Sequence, residues 1–368
     1  MERLKPMSHA TRKNIGVIGL GIIGRGVAGN LRRKGFPVYV WNRSPRSVPN
    51  FVGSPGEVAE ICNHIQIFVS DDDALLQTAQ QLSPKLAPHH LVLAHSTVAP
   101  DSMRAAAEIV ERRKARFVEA PFTGSKTAAE KGELVYYVCG NDAALRGAHP
   151  ILKASSKEIL EIGPTIGQAS AIKIATNMIT AASVQAAAEG LAIVQALGLP
   201  LEKFIEAMRS NASNSTTLAM KLPKMLSLDF EPHFSVKHML KDMQIANQIG
   251  LSNYLDLGVT AAARDQLLEQ MHWGHGDDDY SVIARKYLHE PAPVAGEELQ
   301  LEEEEEQAGG GESIAGSAET RTQSQQEARP AVSPAPLISV TNSDANETTR
   351  LRPGFFKQLL SRLSSGKE

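Results

Sequence analysis

Short apolar runs alternate with longer amphipathic segments over the first half of the chain. Five of these runs have the length and composition of buried strands. We predict strands at 14–18, 38–41, 65–69, 91–94 and 116–119. The segments between them have mainly helical patterns, and this alternation of strand and helix favours a parallel sheet with crossover helices.

The pattern changes near residue 170, where apolar residues recur at helical spacing over long segments. The first of these segments ends at the helix-breaking sequence Gly198-Leu199-Pro200. We predict helices at 170–197, 201–209, 216–226, 235–249 and 253–272. The folded part is therefore expected to comprise an α/β domain at 13–169 and an all-helical domain at 170–290.

The composition changes again after Pro291. Residues 291–368 carry 13 acidic and 7 basic side chains, and few of the other residues are large and apolar. Such a segment cannot bury enough apolar surface to offset the entropy lost on ordering. We predict a disordered acidic linker at 291–350. Residues 1–290 are close to neutral, which gives no indication of nucleic-acid binding.

The last segment, 351–368, is short and basic. Its large apolar residues would share one face of a helix: Phe355, Phe356, Leu359, Leu360 and Leu363. A helix of this length is marginal by itself, so its structure should depend on binding. We hypothesise that this tail docks on a partner protein or on an anionic membrane surface.

Two further features bear on where the protein resides. No apolar run approaches the roughly 18 residues of a membrane span, and residues 1–12 lack the apolar core of a secretory signal. Cys62 and Cys139 lie in different predicted elements, so we expect reduced thiols rather than a disulfide. A cytoplasmic location is predicted.

A glycine-rich loop, Gly19-Leu20-Gly21-Ile22-Ile23-Gly24, directly follows the first predicted strand and begins a helix. Gly19 permits a tight turn, Gly21 lets the backbone approach a pyrophosphate, and Gly24 lets the helix pack closely. The phosphates would lie at the helix N-terminus. The motif therefore predicts a Rossmann-type dinucleotide site, and the expected fold is a doubly wound, mainly parallel sheet followed by an all-α domain.

The second predicted strand ends at Asn42-Arg43-Ser44, where an NAD site would usually carry an acidic residue for the ribose. Arg43 instead supplies a guanidinium group, and Asn42 and Ser44 supply hydrogen-bonding groups suited to a 2′-phosphate. NADP(H) is therefore the expected cofactor. The alternative is that Arg43 is a solvated loop residue.

Two more loops follow later strands, at the edge of the sheet where ligands of such folds bind. Ser70 follows the third predicted strand and Thr97 follows the fourth, so both should flank the nicotinamide half of the cofactor. For the acidic run 71–73, a helix N-cap is at least as good an interpretation as cofactor contact.

Candidates for the chemistry occur at two further places. Thr123, Gly124 and Ser125 follow the fifth predicted strand, and their hydroxyls and amides could receive a substrate carboxylate. Lys173 lies in an alanine-rich, otherwise apolar helix, and Asn177 shares its face. Because burial lowers a lysine pKa toward working pH, Lys173 is the leading candidate for proton transfer during hydride transfer. The alternative is a surface lysine on a packing helix.

One cluster contains residue types that ligate metals: His272, His275, Asp277, Asp278 and Asp279. Its spacing matches no standard zinc pattern, and hydride transfer needs no metal, so no metal is predicted. A glycine-rich turn in which Asp279 caps the final helix is the preferred interpretation.

These motifs together resemble the β-hydroxyacid dehydrogenases, a family that includes 3-hydroxyisobutyrate dehydrogenase, tartronate semialdehyde reductase and the glyoxylate/succinic semialdehyde reductases. The resemblance runs from about residue 13 to residue 288. It rests on the glycine loop, on segments 120–134 and 234–242, and on the pair Lys173 and Asn177.

The resemblance implies a reaction and residue roles. The family's substrate motif falls on 120–125, its catalytic pair on Lys173 and Asn177, and its later cofactor-side lysine on Lys241. It implies hydride transfer from NADPH to the carbonyl of a small aldehyde acid, with Lys173 as the proton donor. It also implies a homodimer or tetramer, with substrate and dimerisation surfaces in the 170–290 domain.

Within the family, segments 124–126 and 40–44 most resemble the NADPH-dependent glyoxylate/succinic semialdehyde reductase branch. Phe122 and Thr123 replace the usual Val-Ser of that branch, and Ile23 replaces its usual Met. The enzyme alternatives are a 3-hydroxyisobutyrate-type dehydrogenase and an imine reductase. The alternative of another class is a non-catalytic NADP-binding scaffold.

Overall fold

The computed structural model describes residues 14–288, in which a sheet with flanking helices precedes a group of helices. The strands are β1 (Ile15–Ile18), β2 (Val38–Trp41), β3 (His64–Ile67), β4 (Leu91–Ala94), β5 (Arg116–Glu119), β6 (Phe122–Thr123), β7 (Leu134–Cys139) and β8 (Ser156–Gly163). The helices are α1 (Ile22–Arg33), α2 (Pro55–Ile61), α3 (Asp72–Leu82), α4 (Pro100–Glu111), α5 (Lys126–Lys131), α6 (Asp142–Leu152), α7 (Gln168–Ala196), α8 (Leu201–Arg209), α9 (Thr216–Leu226), α10 (Val236–Ser252) and α11 (Gly258–His272). Short 3₁₀ helices lie at Ser83–Lys85 and Tyr280–Lys286.

The strands form one sheet in the order β2-β1-β3-β4-β5-β7-β6, and β8 pairs with β7. Strands β1 to β5 pair in parallel, whereas β7 runs antiparallel to β5 and β6. Every residue of β1, β3 and β4 is buried, as expected for parallel strands covered on both faces. The loops that follow β1 to β5 therefore meet at one edge of the sheet, where ligands of this architecture bind.

The helical part is organised around α7, which is 29 residues long. Its buried face packs with α9, α10 and α11 in a second hydrophobic core that includes Val184, Leu191, Leu222 and Met243. Helix α7 also contacts β7, β8 and α4 at its N-terminal end, so one element joins the sheet and the helical core.

The predicted fold class is confirmed, and several element boundaries agree with the prediction. Strands β2, β4 and β5 and helices α8 and α9 have the predicted ends. The third strand, however, is His64–Ile67 rather than 65–69, and α11 begins at Gly258 rather than at 253. Tyr254 has φ of 56°, a left-handed conformation that interrupts the helix after α10.

Three strands were not predicted: β6, β7 and β8. Strand β8 is largely exposed, so its sequence lacks the continuous apolar run on which the other predictions rested. The predicted linker at 291–350 and the tail at 351–368 lie outside the described residues. Between residues 14 and 288, no helix is long and apolar enough to cross a bilayer.

Candidate active site

The glycine loop between β1 and α1 has the geometry of a dinucleotide site. Gly19 has φ of +94°, and a Cβ there would lie 1.9 Å from the carbonyl oxygen of Phe68. A Cβ on Gly24 would lie 2.0 Å from the carbonyl oxygen of Gly19. A Cβ on Gly21 would meet nothing within 4 Å. Two glycines are thus required by packing, and the middle one leaves open space in front of the loop.

The first turn of α1 is available to an anion. Gly21 is the N-cap residue, and no side chain of residues 14–288 caps the amides of this turn. Ile22 is 36% exposed beside these amides, whereas Ile23 packs partly against the core. The residues present therefore fit a pyrophosphate, whose charge the helix N-terminus would stabilise.

The end of β2 is linked to this loop. The side-chain oxygen of Asn42 accepts a hydrogen bond from the amide of Leu20 at 2.9 Å, and its amide group donates to the carbonyl oxygen of Ser44 at 2.8 Å. Both polar ends of Asn42 therefore make hydrogen bonds within the protein that hold the loop, and its contact with the cofactor stays a prediction. Arg43 and Ser44 are exposed at the same edge.

The acidic run after β3 caps a helix, as the alternative interpretation expected. Asp71 accepts a hydrogen bond from the amide of Ala74 at 2.8 Å and from the Ser70 hydroxyl at 2.5 Å. Burial raises the pKa of Asp71, but these hydrogen bonds and the nearby charges of Lys241 and Arg43 outweigh it and lower the pKa overall. Ser70 thus contacts Asp71 directly.

An aromatic cluster supports the start of the predicted substrate loop. The Phe68 and His95 rings stack with centroids 4.3 Å apart, and Tyr136 contacts both His95 and Phe122. Burial lowers the pKa of His95 to about 3, although its Nδ1 donates to the carbonyl oxygen of Ala120 at 2.8 Å. His95 is therefore neutral, and the bulky Phe122 is accommodated by neighbouring aromatic rings.

The predicted substrate residues follow this cluster directly. Thr123 is exposed at the end of β6, and Gly124 has φ of +138°. The hydroxyl of Ser125 accepts a hydrogen bond from the amide of Ala128 at 3.3 Å, so it caps α5. Within the described range, no hydrogen bond or ion pair joins these three residues to Lys173, and their role in substrate binding stays a prediction.

Lys173 is buried, not a surface lysine. It is 9% exposed on the face of α7 that also carries Asn177, which is 7% exposed. The pKa of Lys173 is lowered to about 8. Burial is the main cause, the negative charge of Asp242 opposes the lowering, and the positive charge of Lys241 adds to it. A lysine in this state can give or take a proton close to neutral pH.

Asp242 connects the residues around Lys173. Its carboxylate is fully buried, accepts a hydrogen bond from Asn177 at 2.6 Å, and pairs with Lys241 at 2.7 Å. Lys241 also donates to the carbonyl oxygen of Thr97. The structure therefore brings together the predicted residues Asn177, Thr97 and Lys241 through a carboxylate that the sequence analysis did not select.

The signal for Asp242 was present but easily missed. It directly follows Lys241 in α10, and adjacent residues do not share a helix face, so helical periodicity separates the two. Only the packing of α10 against α7 and against the loop after β4 shows that both side chains reach one site.

The cluster of histidines and aspartates near residue 275 does not converge on one point. Asp279 pairs with the buried Lys221 at 2.6 Å and caps the 3₁₀ helix through Ser281. Asp277 pairs with Lys237, while the remaining aspartate contacts His275. Across residues 14–288 there is no group of three or more His, Cys, Asp or Glu side chains placed to hold a metal.

Comparison with known proteins agrees with this geometry. Residues 14–163 match the NAD-binding domain of 6-phosphogluconate dehydrogenase, and residues 167–287 match the NAD-binding domain of NADP-dependent 3-hydroxyisobutyrate dehydrogenase. The chain is 29% identical over 279 residues to glyoxylate/succinic semialdehyde reductase 1 of Arabidopsis thaliana, covering 73% of this chain and 96% of that one.

Two further similarities are informative. The chain is 28% identical over 289 residues to the cytokine-like nuclear factor N-PAC of Danio rerio, covering 76% of this chain and 63% of that protein. Its fold matches the crystal structure of 3-hydroxyisobutyrate dehydrogenase from Salmonella typhimurium with a TM-score of 0.69, at 21% identity over 75% of this chain and all of that one. The chain belongs to the β-hydroxyacid dehydrogenase family, whose members are NAD(P)-dependent oxidoreductases acting on hydroxyl or carbonyl groups.

Proposed function

We propose that this chain reduces a small aldehyde acid, of the glyoxylate or succinic semialdehyde type, to the hydroxy acid with NADPH. The observation that carries the proposal is the buried Lys173, whose pKa is lowered to about 8 next to Asp242 and Lys241. The name of the Arabidopsis relative, a glyoxylate/succinic semialdehyde reductase, supports the substrate class.

The residues at the sheet edge would hold the cofactor. NADPH, when bound, supplies the hydride. The open space at Gly21 and the free amides of α1 would receive the pyrophosphate, and the exposed Arg43 would bind the 2′-phosphate. Lys241 donates hydrogen bonds to the Thr97 carbonyl oxygen and to Asp242, and from α10 it would close the cofactor side of the site.

Lys173 would donate a proton to the carbonyl oxygen as negative charge develops there. Asn177 is held by Asp242 and would orient the substrate beside the ammonium group. Thr123, Gly124 and Ser125 would bind the substrate carboxylate and so fix the position of the carbonyl. In the opposite direction, a neutral Lys173 would accept the proton from the hydroxy acid.

Two alternatives predict different kinetics. A dehydrogenase of the 3-hydroxyisobutyrate type would use the same residues but favour oxidation of a hydroxy acid. A non-catalytic NADP-binding scaffold is suggested by the similarity to N-PAC, which is named as a nuclear factor. The burial of Lys173 supports an enzyme, because an unpaired ammonium in an apolar helix lowers stability without serving a scaffold.

The test is steady-state NADPH oxidation with glyoxylate, succinic semialdehyde and tartronate semialdehyde. Methylglyoxal is the matched control because it presents an aldehyde without a carboxylate. We expect turnover of at least one acid, weak activity with methylglyoxal, and a loss of about 100-fold in Lys173→Ala. No turnover of any carbonyl or hydroxy acid would favour the scaffold, and unchanged turnover in Lys173→Ala would exclude the lysine from the mechanism.

Cofactor choice is tested at Arg43, which is exposed at the end of β2. Arg43→Ala should weaken NADPH binding about 10-fold or more, because a charge-assisted hydrogen bond to phosphate is lost. NADH binding should change little. Equal losses for both cofactors would show that Arg43 does not select NADP(H).

We also propose assembly into a homodimer or tetramer through α7. Three large apolar side chains of this helix are exposed, and so is that of its C-cap residue: Ile172, Ile179, Ile193 and Leu197. The first three are separated by multiples of seven residues and so share a face. A second copy of the chain would cover this face.

A further inference from the structure

Glu119 is a buried carboxylate at the junction of the two parts of the fold. It is the last residue of β5 and has no exposed surface. One carboxylate oxygen accepts a hydrogen bond from the amide of Gly167, and the other accepts from the amide of Ser170, both at 2.6 Å. These two amides belong to the N-cap and the first turn of α7.

This contact satisfies both partners. The first amides of a helix have no acceptor within the helix, and its N-terminus carries partial positive charge. A buried carboxylate in turn requires hydrogen bonds or a counter-charge. Over residues 14–288 no ion pair includes Glu119, so its compensation comes from these two amides of α7 and from the thiol of Cys139 on β7, which also hydrogen-bonds to it.

The backbone at this junction leaves little freedom. Gly167 has φ of +99°, and a Cβ there would lie 2.5 Å from the guanidinium of Arg104. The chain therefore enters α7 through a left-handed glycine whose amide donates to Glu119 of the sheet. Glu119 thus bonds to α7 at the turn through which the chain enters that helix.

Glu119 is linked to both sets of proposed site residues, to one through the sequence and to the other through its hydrogen bond with Ser170. Thr123 follows it by four residues, along the segment that leads from β5 into the substrate loop. Lys173 follows Ser170 by three residues, which is about one helical turn. One side chain thus connects the strand that leads to the substrate loop with the helix that carries the lysine.

We propose that Glu119 is a positioning residue that sets the location of Lys173 relative to the substrate loop. This proposal rests on the proposed function, since it concerns the geometry of proton donation to the bound carbonyl. Glu119 acts through α7 and does not touch the substrate. Because Glu119 belongs to the sheet, its two hydrogen bonds hold the start of α7, and with it the ammonium group of Lys173, in a fixed position.

The test is Glu119→Gln, which keeps the shape of the side chain. Its amide group can accept from only one of the two backbone amides and faces the other as a donor, so one hydrogen bond and the charge are lost. We expect kcat for the aldehyde acid to fall at least about 10-fold, because small misplacement of a catalytic group is costly. The KM for NADPH should change less than about twofold, and the isotope effect with 4-deuterated NADPH should increase because the chemical step becomes slower.

The matched control is Asn141→Ala. Asn141 caps α6 by accepting from the amide of Ala144 at 2.9 Å, but it is remote from α7 in the chain and contributes to neither proposed site. This variant should lower the unfolding midpoint like any lost cap, yet leave kcat and the isotope effect unchanged. If Glu119→Gln does not fold, Glu119→Asp replaces it, since it keeps the charge but is shorter.

A second measurement does not depend on turnover. Competitive labelling with acetic anhydride, read by mass spectrometry, should show faster reaction of Lys173 in Glu119→Gln and an unchanged rate in Asn141→Ala. An inactive wild type would overturn the proposed reaction, whereas the labelling would still test the position of Lys173. The positioning role would be overturned if the Glu119 variant kept the kcat, isotope effect and labelling rate of the wild type. It would also be overturned if the Asn141 control changed as much as the Glu119 variant.

Discussion

Lys173 shows how one residue is adjusted by two opposing influences. Burial in the helix face lowers its pKa, and the carboxylate of Asp242 opposes that change from α10. Within residues 14–288, the two oxygens of Asp242 accept hydrogen bonds from Asn177 and Lys241, and no hydrogen bond joins Asp242 to Lys173. The negative charge of Asp242 therefore affects the pKa of Lys173 without a hydrogen bond, and the ammonium group stays available to donate a proton to a substrate.

The pH dependence of the reaction should follow the pKa of Lys173, which is lowered to about 8. Reduction requires the protonated amine, so its kcat should be constant below this pH and fall above it; oxidation should show the reverse. The charged groups facing Lys173 are Asp242 and Lys241. Asp242→Asn should move the fall in reduction rate to lower pH, and Lys241→Ala should move it to higher pH. Initial rates from pH 6 to 10 measure both, and a profile unaffected by either variant would contradict the assignment.

The same pKa shift should lower the stability of the protein. The folded-state pKa of about 8 lies below the ordinary 10.5, so the buried charge destabilises the folded state at pH below 8, and the effect disappears as pH rises toward 10.5. The difference corresponds to about 3 kcal/mol. Lys173→Met, which keeps the chain length, should therefore raise the free energy of unfolding at pH 7 and have less effect at pH 10. Denaturant titrations at the two pH values test this, and a less stable variant at pH 7 would show that the lysine charge is well solvated.

At the scale of elements, different glycines of the loop between β1 and α1 serve packing and cofactor binding. Gly24 is required because the loop carbonyl of Gly19 leaves no room for a side chain, whereas Gly21 faces open space. The two glycines look alike in the motif. Their surroundings give them different roles, one in packing α1 and one in admitting the cofactor.

Replacing each glycine by alanine should therefore have different effects. Gly24→Ala places a methyl group 2.0 Å from the Gly19 oxygen and should lower the unfolding midpoint. Gly21→Ala meets no protein atom within 4 Å and has an ordinary φ of −67°, so it should fold normally but bind NADPH at least about 10-fold more weakly. Thermal unfolding and fluorescence titration distinguish the two. Normal NADPH affinity in Gly21→Ala would mean that the cofactor phosphates lie elsewhere.

At the scale of the whole molecule, α7 has two surfaces with different environments. One face is buried against α9, α10 and α11, and the other exposes Ile179 at 69% and Ile193 at 62%. Exposed apolar side chains at regular spacing on a long helix are typical of an interface between subunits.

Ile179→Glu and Ile193→Glu should each reduce the assembly to a smaller species, because a charge in an apolar interface is desolvated without a partner. Ile61→Glu is the matched control, since Ile61 is 38% exposed on α2, which packs against β1, β2 and α3. Light scattering after gel filtration gives the mass of each variant. If the wild type is a monomer, or if all three variants keep its mass, this face of α7 is not the subunit interface.

The sequence alone determined the elements whose signals are local. The apolar runs of β2, β4 and β5 and the helical repeats of α8 and α9 predicted their boundaries, because burial on both strand faces or on one helix face is repeated along the chain. The glycine loop, Arg43 and the pair Lys173 and Asn177 were likewise visible as local patterns, although their roles in binding and catalysis stay predictions.

Only the tertiary structure decided the features that depend on distant contacts. Strand β8 is largely exposed and is defined by pairing with β7, so its own sequence did not predict it. Asp242 meets Asn177 across 65 residues, and Glu119 meets Ser170 across 51. Charge and burial at Lys173 depend on which elements pack around it, and local periodicity does not specify those neighbours.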